Sequence, residues 1–519
     1  MPETVSIDLT PGQAADPRAV RRALAARIGR EPAEDRYRIV RRSIDARRDR
    51  IRGNLGICIF ADGESAASDR PVFAYRDVCR AAPVVIVGAG PAGLFAALRL
   101  VELGLKPIVV ERGKPVRERR RDVAALNRRG ILDDESNYAF GEGGAGTFSD
   151  GKLYTRSKKR GDHRRVLHLL HRHGADESIL YDAHPHIGSN RLPDVVTAMR
   201  ATIESRGGEV HFSRKVVRLS ISGGHVAGVI LADGTSIEGR AVILATGHSA
   251  RDVYGMLLEQ GVAIEPKPFA MGVRVEHPQR LIDRIQYHGL ERKGFLPAAS
   301  YSLVSQVEGR GVYSFCMCPG GFIVPAATTP GMLVVNGMSF AKRNSPYANA
   351  AIVVEIRLDD IPGLDKVGPL AGLAFQEAVE RTAWDEGGGR MAAPAQRLVD
   401  FVAGRPSAQL PACSYPPGVA SSCLHRWLPD PVSRRLQAGL RAFDGKMKGF
   451  LDDAALVVGV ESRTSSPVRI PRNPQTLQHV ALRGLFPCGE GAGYAGGIVS
   501  CAVDGERIAE AVAGYLGGA

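Results

Sequence analysis

Gly88, Gly90 and Gly93 follow directly on an apolar run at residues 84–87, and Glu111 closes the next apolar run at 107–110. The chemistry open to glycines and an acid at this spacing is the grip of a dinucleotide. Gly88 permits a tight turn, Gly90 lets the main chain approach a pyrophosphate, and Gly93 lets a helix pack closely on the preceding strand. That helix begins at Pro91 and Ala92 and runs to about Leu103, so its free N–H groups and positive dipole end point at phosphate oxygens. Glu111 is placed to accept hydrogen bonds from ribose hydroxyls. A glycine-rich turn by itself would not need an acid there. The basic stretch that follows, with Arg112, Lys114, Arg117, Arg119, Arg120 and Arg121, falls beside the adenosine end of such a ligand; a solvated helix is the competing reading.

Residues suited to proton transfer and anion binding recur further along. His184-Pro185-His186 is followed by Asn190 and Arg191. Histidine moves protons near neutral pH, and arginine clamps a carboxylate through two parallel donors. The alternative is a pair of histidines satisfied within a loop. Glu461, Arg463, Ser465, Ser466 and Arg469 form a second polar run ahead of the last strand. Small-molecule sites concentrate at domain interfaces, so Arg463 and Arg469 are candidate substrate or cofactor contacts, with plain interdomain salt bridges as the alternative. Cys316 and Cys318 flank one residue between apolar runs, a spacing compatible with dithiol chemistry. The eight cysteines include no Cys-x-x-Cys pair, which argues against a zinc ribbon or thioredoxin-like site. No spacing suggests a metal site.

These residues must be positioned by a chain of 519 residues, enough for about three domains. Apolar content of 44% and charged content of 24% are those of an ordinary globular protein. The 60 glycines and 32 prolines favour a loop-rich α/β protein over a helical bundle. A net charge of +13 favours anionic ligands or loose association with polyanions. Scattered cysteines and the lack of a basic segment followed by an apolar one point to the cytoplasm, without a signal peptide. The uncharged stretches 81–98 and 311–341 are interrupted by the glycine fingerprint and by Pro319-Gly320-Gly321, Pro325 and Pro330-Gly331. They read as buried strands and turns, not membrane spans.

Residues 1–80 read as a small basic α+β domain. A strand is expected at 5–9, a helix opening at Asp16-Pro17, and strand material over 36–60. Arg36, Arg38, Arg41, Arg42, Arg47, Arg48, Arg50 and Arg52 crowd this segment. They form either an anion or nucleic-acid surface, or a solvated face paired with Asp45 and Asp49. A nucleotide-binding domain then occupies 81–160, a cap or substrate-domain segment 161–195, and the second part of the nucleotide domain 196–250. Here a helix at 193–207 leads to strands at 210–217 and 226–230, a turn at Asp233-Gly234, and a buried strand at 241–244 that ends in Ala245-Thr246-Gly247. This is a β-meander inserted into a parallel sheet. A mixed α/β substrate domain follows at 251–454, and 455–519 returns to the nucleotide domain. In that return a strand enters the turn Gly489-Glu490-Gly491, and Ala495-Gly496-Gly497-Ile498 opens a helix to about Ala513. A second helix N-terminus thus reaches the same nucleotide.

The fingerprint with its acid, the meander, the Ala-Thr-Gly strand end and the C-terminal glycine turn resemble, in this order, the two-domain FAD enzymes of the glutathione-reductase structural type. Longer stretches are similar to the bacterial FAD-dependent, "NAD(FAD)-utilising" dehydrogenase family: FGEGGAGTFSDGKLYTR (140–156), HPHIGSNRLP (184–193), KPFAMGVRVEHP (267–278), GVYSFCMCPGG (311–321), GVESRTSSPVRI (459–470) and CGEGAGYAGGIVSCAVDG (488–505). The resemblance spans about 81–519 and, more loosely, the N-terminal domain. It implies FAD as cofactor. The fingerprint and Glu111 would hold its ADP half. Val216, Val217, Ala245, Thr246 and Gly247 would lie beside the dinucleotide, and Gly489, Glu490, Gly496, Gly497 and Ile498 at the flavin end. The loop containing Gly143, Gly144, Gly146 and Thr147 would bring main-chain N–H groups to the flavin, a structural turn being the alternative. Lys152 would place positive charge near the flavin N1–C2=O edge, or else lie on the surface. Disulfide reductases of this type carry their redox pair close behind the fingerprint, where this chain has none, so Cys316 and Cys318 are expected to be structural.

The expectation is therefore an FAD-dependent oxidoreductase of Rossmann-like α/β fold. It would transfer a hydride between flavin and a small organic substrate, with His184 or His186 handling a proton and NADH or NADPH as transient donor. One alternative is a flavin monooxygenase, although related hydroxylases carry Gly-Asp where this chain has Gly489-Glu490. Another is a flavoprotein that binds or modifies RNA through the basic N-terminal domain.

Overall fold

The run Val84-Val85-Ile86-Val87 is β-branched throughout, the pattern of a strand buried on both faces of a parallel sheet. In the computed structural model, which describes residues 3–47, 50–60, 71–154, 161–292 and 294–517, Pro83–Val87 is the middle strand of five. The sheet runs in the order Leu485–Pro487, Val242–Leu244, Pro83–Val87, Lys106–Val110, Glu209–His211, and every pairing is parallel. The helix Pro91–Leu103 starts and stops where the sequence places it, with Pro91 in its first turn and Gly104 ending it in the left-handed region. The C-terminal helix Ile498–Gly517 lies against it. A Cβ added at Gly505 would come 2.2 Å from the Ala92 carbonyl oxygen, so only glycine permits this approach.

Two expectations need correction. The strand expected at 210–217 is two strands. Glu209–His211 closes the parallel sheet, and Val216–Ser222 opens the antiparallel meander with His225–Leu231 and Ser236–Glu238. Ser213, at φ +55°, turns the chain between them, and its N–H donates to Gly113 O (2.9 Å). The boundary expected at 455 also shifts. Leu456–Glu461 lies inside a seven-stranded sheet of order Val304–Val307, Arg310–Cys318, Tyr347–Ile356, Phe269–Pro278, Leu456–Glu461, Ala393–Arg397, Val419–Ser421. The chain therefore leaves that sheet only after Glu461. Its apolar run was legible, but not the sheet that would receive it. Val273, Ile352, Val354, Leu436, Leu440 and Phe443 join this sheet and the helix Asp430–Lys446 in one core.

At the N-terminus, Glu3–Leu9, Arg52–Ile59 and Tyr37–Asp45 form an antiparallel sheet in the order first–third–second along the chain. It is packed by the helix Pro17–Ile28 through Val5, Ile7, Val20, Leu24, Leu55 and Ile57. The arginine run is partly accounted for by docking. Arg42 binds Asp182 through two hydrogen bonds (2.6 and 3.0 Å) and lies over the Tyr181 ring at 5.0 Å. Its backbone N–H donates to Tyr181 O (2.7 Å). Arg47 pairs with Asp45. Arg48, Asp49, Thr155 and Arg156 fall outside the described residues. Among the described residues no helix is long and apolar enough to cross a membrane.

Candidate active site

Gly88 turns the chain at φ +106°, and Gly93 is held so closely that a Cβ would lie 1.9 Å from Gly88 O. The buried Glu111 carboxylate accepts the N–H groups of Ala89 (2.8 Å), Gly113 (2.9 Å) and Gly141 (3.0 Å). It thereby ties the fingerprint turn to the glycine loop. In that loop a Cβ on Gly144 would approach Gly90 Cα to 2.9 Å. One on Gly146 would stand 3.2 Å from Pro91 and 3.4 Å from Ile498, the first residues of the two helices. The two helix starts thus converge on a single loop residue. Gly489 comes against Ala92, and Gly491 against Gly247 O. Around Gly247, Gly496 and Gly497 an added Cβ would meet nothing within 4 Å. A cradle of main-chain atoms remains open between these turns, with Ala245 and Thr246 on its wall.

Several candidate side chains take other positions. Arg119 is fully buried, with its guanidinium donating to the carbonyls of Asn137 (2.8 Å), Glu142 (2.7 Å), Tyr138 (2.9 Å) and Gly144 (2.8 Å). It shapes the glycine loop from behind and cannot touch a ligand, which corrects its assignment as a contact. Thr147 is likewise fully buried, and its hydroxyl donates to Glu142 O. Val216 packs into the core between sheet and meander, whereas Val217 is exposed. Arg112 pairs with Glu135 (2.5 Å) and Asp252 (2.9 Å) and lies over the Phe140 ring. Arg191 is exposed. His184 is exposed against Tyr154. His186 Nε2 meets Ala341 O at 3.1 Å, and burial, then Arg343, lower its pKa.

At the C-terminal glycine turn, Glu490 Oε1 stands 4.0 Å from His248 Nε2. Burial pushes the Glu490 carboxyl up to about 7, against the pull of Lys267. Burial, then Arg463 and Arg251, hold His248 down near 4, so its imidazole is neutral at neutral pH. The two arginines flank Glu380. Arg251 reaches it at 2.7 and 2.9 Å, Arg463 at 2.7 and 3.1 Å, and Ser462 at 2.6 Å. Arg463 also donates to Thr328 Oγ1 (2.7 Å). This is the salt-bridge alternative, and it removes Arg463 from the substrate contacts. Arg469 is exposed, 5.7 Å over the Tyr494 ring, and helps to lower the Lys267 pKa after burial itself.

A second cluster assembles around the cysteines. The strand Arg310–Cys318 bulges between Phe315 and Cys318, and Cys316 sits at φ +46°. Lys152 Nζ lies 3.7 Å from Cys316 Sγ and 3.6 Å from Cys318 Sγ, so the surface position considered for Lys152 is excluded. Arg274, fully buried, binds Glu461 (2.8 Å), Asn349 (2.9 Å), Asn336 (3.0 Å) and the Cys316 carbonyl (2.5 Å). Its Nη2 is 3.8 Å from Cys318 Sγ. Burial raises Glu461 to about 7; Arg274 opposes this and Cys316 adds to it.

Against this geometry stand the sequence relatives. Residues 81–242 match an FAD binding domain, 184–323 an FAD dependent oxidoreductase, 268–464 an FAD-dependent protein C-terminal domain, and 1–60 a domain of unknown function. A protein of Clostridium beijerinckii, described as an uncharacterized protein, is 43% identical over 497 residues, covering 92% of each chain. The chain belongs to this family of FAD-dependent proteins. It is an FAD-dependent oxidoreductase. Among solved structures, CtdE in complex with FAD is 14% identical with a TM-score of 0.33, covering 84% of both chains. A geranylgeranyl bacteriochlorophyll reductase-like protein of Thermoplasma acidophilum is 14% identical with a TM-score of 0.35, covering 84% of this chain and 79% of that one. Neither overlap is close enough to carry a functional argument.

The residues present fit FAD. Two helix starts offer main-chain donors to a pyrophosphate, and the glycines that line the cradle leave it free of side chains. Arg119→Lys is expected to destabilise the protein by about 2 kcal/mol or more, because an ammonium cannot reach four carbonyls at once. It should also speed flavin release. Denaturant unfolding and flavin fluorescence on dilution check the two effects. His248, Arg251, Lys267, Arg274 and Glu380 were not singled out from sequence. His248 and Arg251 carried a signal, since they follow directly on the Ala-Thr-Gly strand end, and Lys267 and Arg274 lie within the family-like stretch 267–278, whereas Glu380 carried none.

Proposed function

We propose that the protein moves a hydride between FAD and a small organic substrate bound where the parallel sheet meets the seven-stranded sheet. NADH or NADPH would be the transient reductant. FAD, when bound, supplies the two-electron centre. The chain's residues do the rest. N–H groups at the starts of Pro91–Leu103 and Ile498–Gly517 would face the pyrophosphate, and Glu111 the ribose. Glu490 is suited to hold or release a proton near neutral pH, because burial keeps its carboxyl at about 7. His248 beside it, held neutral by burial and the two arginines, leaves that proton on the carboxyl and adds no positive charge to the site. Glu490 takes the role first assigned to His184 or His186, since His184 is exposed and His186 faces a carbonyl. Arg469 remains a candidate for an anionic substrate group.

The reading is carried by the convergence of the two helix starts on Gly146. It is tested by adding NADH or NADPH to purified holoprotein without oxygen. Loss of the oxidised-flavin absorbance with at least one of them is the expected result. A polypeptide that takes up no flavin would end the reading; a flavoprotein that stays oxidised with both nicotinamides would remove them as donors.

A further inference from the structure

We propose that Cys316 and Cys318 form a dithiol–disulfide couple that exchanges two electrons with the bound FAD, with Cys316 as the thiolate and Lys152 as its counter-ion. The proposal rests on the FAD reading above, and the cysteines are redox groups in it, not structural ones.

The first argument is charge compensation. Among the described residues, the hydrogen-bond partners of the Lys152 ammonium are the two sulfurs, at 3.6 and 3.7 Å. An ammonium withdrawn from water beside two neutral thiols would bear most of its desolvation cost uncompensated. One thiolate removes that cost. Of the nearby carboxyls, Glu461 is engaged by Arg274 at 2.8 Å and Asp150 by Arg343 at 2.7 Å. Burial opposes the charge on Lys152, yet the sulfurs and Asp150 outweigh it and raise its pKa. The neighbouring Cys318 side chain, with Lys152 and Arg274, holds Cys316 well below the ordinary thiol value, and Cys318, whose Sγ donates to the Cys316 carbonyl oxygen (3.4 Å), is raised. Such an asymmetric pair suits thiol–disulfide chemistry, with one sulfur as nucleophile and the other as proton-bearing partner.

The second argument is backbone geometry. Cys316 is one of few non-glycine residues at positive φ, and it lies in a bulge. Bulges re-aim side chains beside active sites, and strain of this kind persists only where the surrounding structure imposes it. A packing role for a small apolar side chain would not need it. The third argument is location. Lys152, which holds both sulfurs, stands six residues after Gly146, the residue on which the two helix starts of the FAD cradle converge. Neither cysteine is tied up in a disulfide with another residue.

In the step proposed, the Cys316 thiolate and the Cys318 thiol join in one S–S bond. Two electrons and the Cys318 proton pass to FAD. Thiolate, thiol and oxidised FAD become disulfide and singly protonated reduced FAD, and the reverse step regenerates the dithiol. Lys152 keeps its proton throughout.

The test is a reductive titration of air-oxidised holoprotein with dithionite under anaerobic conditions. Wild type is expected to take up about four electrons per FAD, and Cys316→Ser and Cys318→Ser about two each. In parallel, wild type is denatured with iodoacetamide before and after reduction, and its peptides are weighed. The peptide holding both cysteines should resist alkylation when oxidised and take two labels when reduced. This measurement does not depend on any variant folding. Uptake of about two electrons by wild type, or full alkylation of both thiols in the air-oxidised protein, overturns the couple. Either result leaves the nicotinamide experiment unaffected, so the two readings can fail separately.

Discussion

Gly93→Ala is expected to give a destabilised protein that purifies without flavin. The added Cβ would fall 1.9 Å from the Gly88 carbonyl oxygen and 3.3 Å from Ile86. The nearest of these is main chain in the fingerprint turn itself, so it cannot rotate away. The helix Pro91–Leu103 has to move off the strand Pro83–Val87, and overpacking of this sort costs about 1–3 kcal/mol. The same displacement pulls the helix start from Gly144 and Gly146, which face Gly90 and Pro91, and so opens the cradle. The ratio of flavin to protein absorbance and the thermal midpoint measure the two effects together. Gly496→Ala is the informative contrast. An added Cβ there meets nothing within 4 Å, so stability should hold while FAD binding weakens. If Gly93→Ala retains full flavin content, the close approach is not what forms the site.

Glu380→Gln is expected to cost about 3–5 kcal/mol, because it leaves Arg251 and Arg463 buried without their shared counter-charge. Burial alone would raise the Glu380 pKa, but Arg463 and then Arg251 overcome it and hold the carboxyl near 2. The folded-state pKa thus lies below the unfolded value. The stabilisation is complete above about pH 4.5 and is lost as pH falls through about 2. From the shift it amounts to roughly 3 kcal/mol. The buried carboxyls of Glu461 and Glu490, both near 7, act in the opposite sense. Their contribution is complete below about pH 4.5 and disappears as pH rises through 7. Denaturant unfolding of wild type and Glu380→Gln between pH 3 and 8 should therefore converge towards the acid end. Equal stability of the two proteins at pH 7 would show that the arginines have other compensation.

How much of the site was readable depends on which atoms do the work. The fingerprint helix is found at Pro91–Leu103, as expected, and the strand end at Ala245 and the turn at Gly489 line the same cradle. The polar run at 461–469 was readable as important but not as to partner. Arg463 turned out to hold Glu380 in a buried ion pair, while Arg469 stayed exposed. Arg119 is one basic residue among several in the sequence, yet it is the buried cation that fixes the glycine loop.

The amino-acid order alone determined that this chain grips a dinucleotide, because that grip uses main-chain groups of contiguous residues. Glycine spacing and helix starts write such a site locally, within the reach of one turn. Only the tertiary structure decided which side chains meet around it. Lys152 reaches Cys316 across 164 residues, Arg251 reaches Glu380 across 129, and Arg274 reaches Glu461 across 187. Those partnerships depend on how sheets and helices pack, and no periodicity along the chain encodes them.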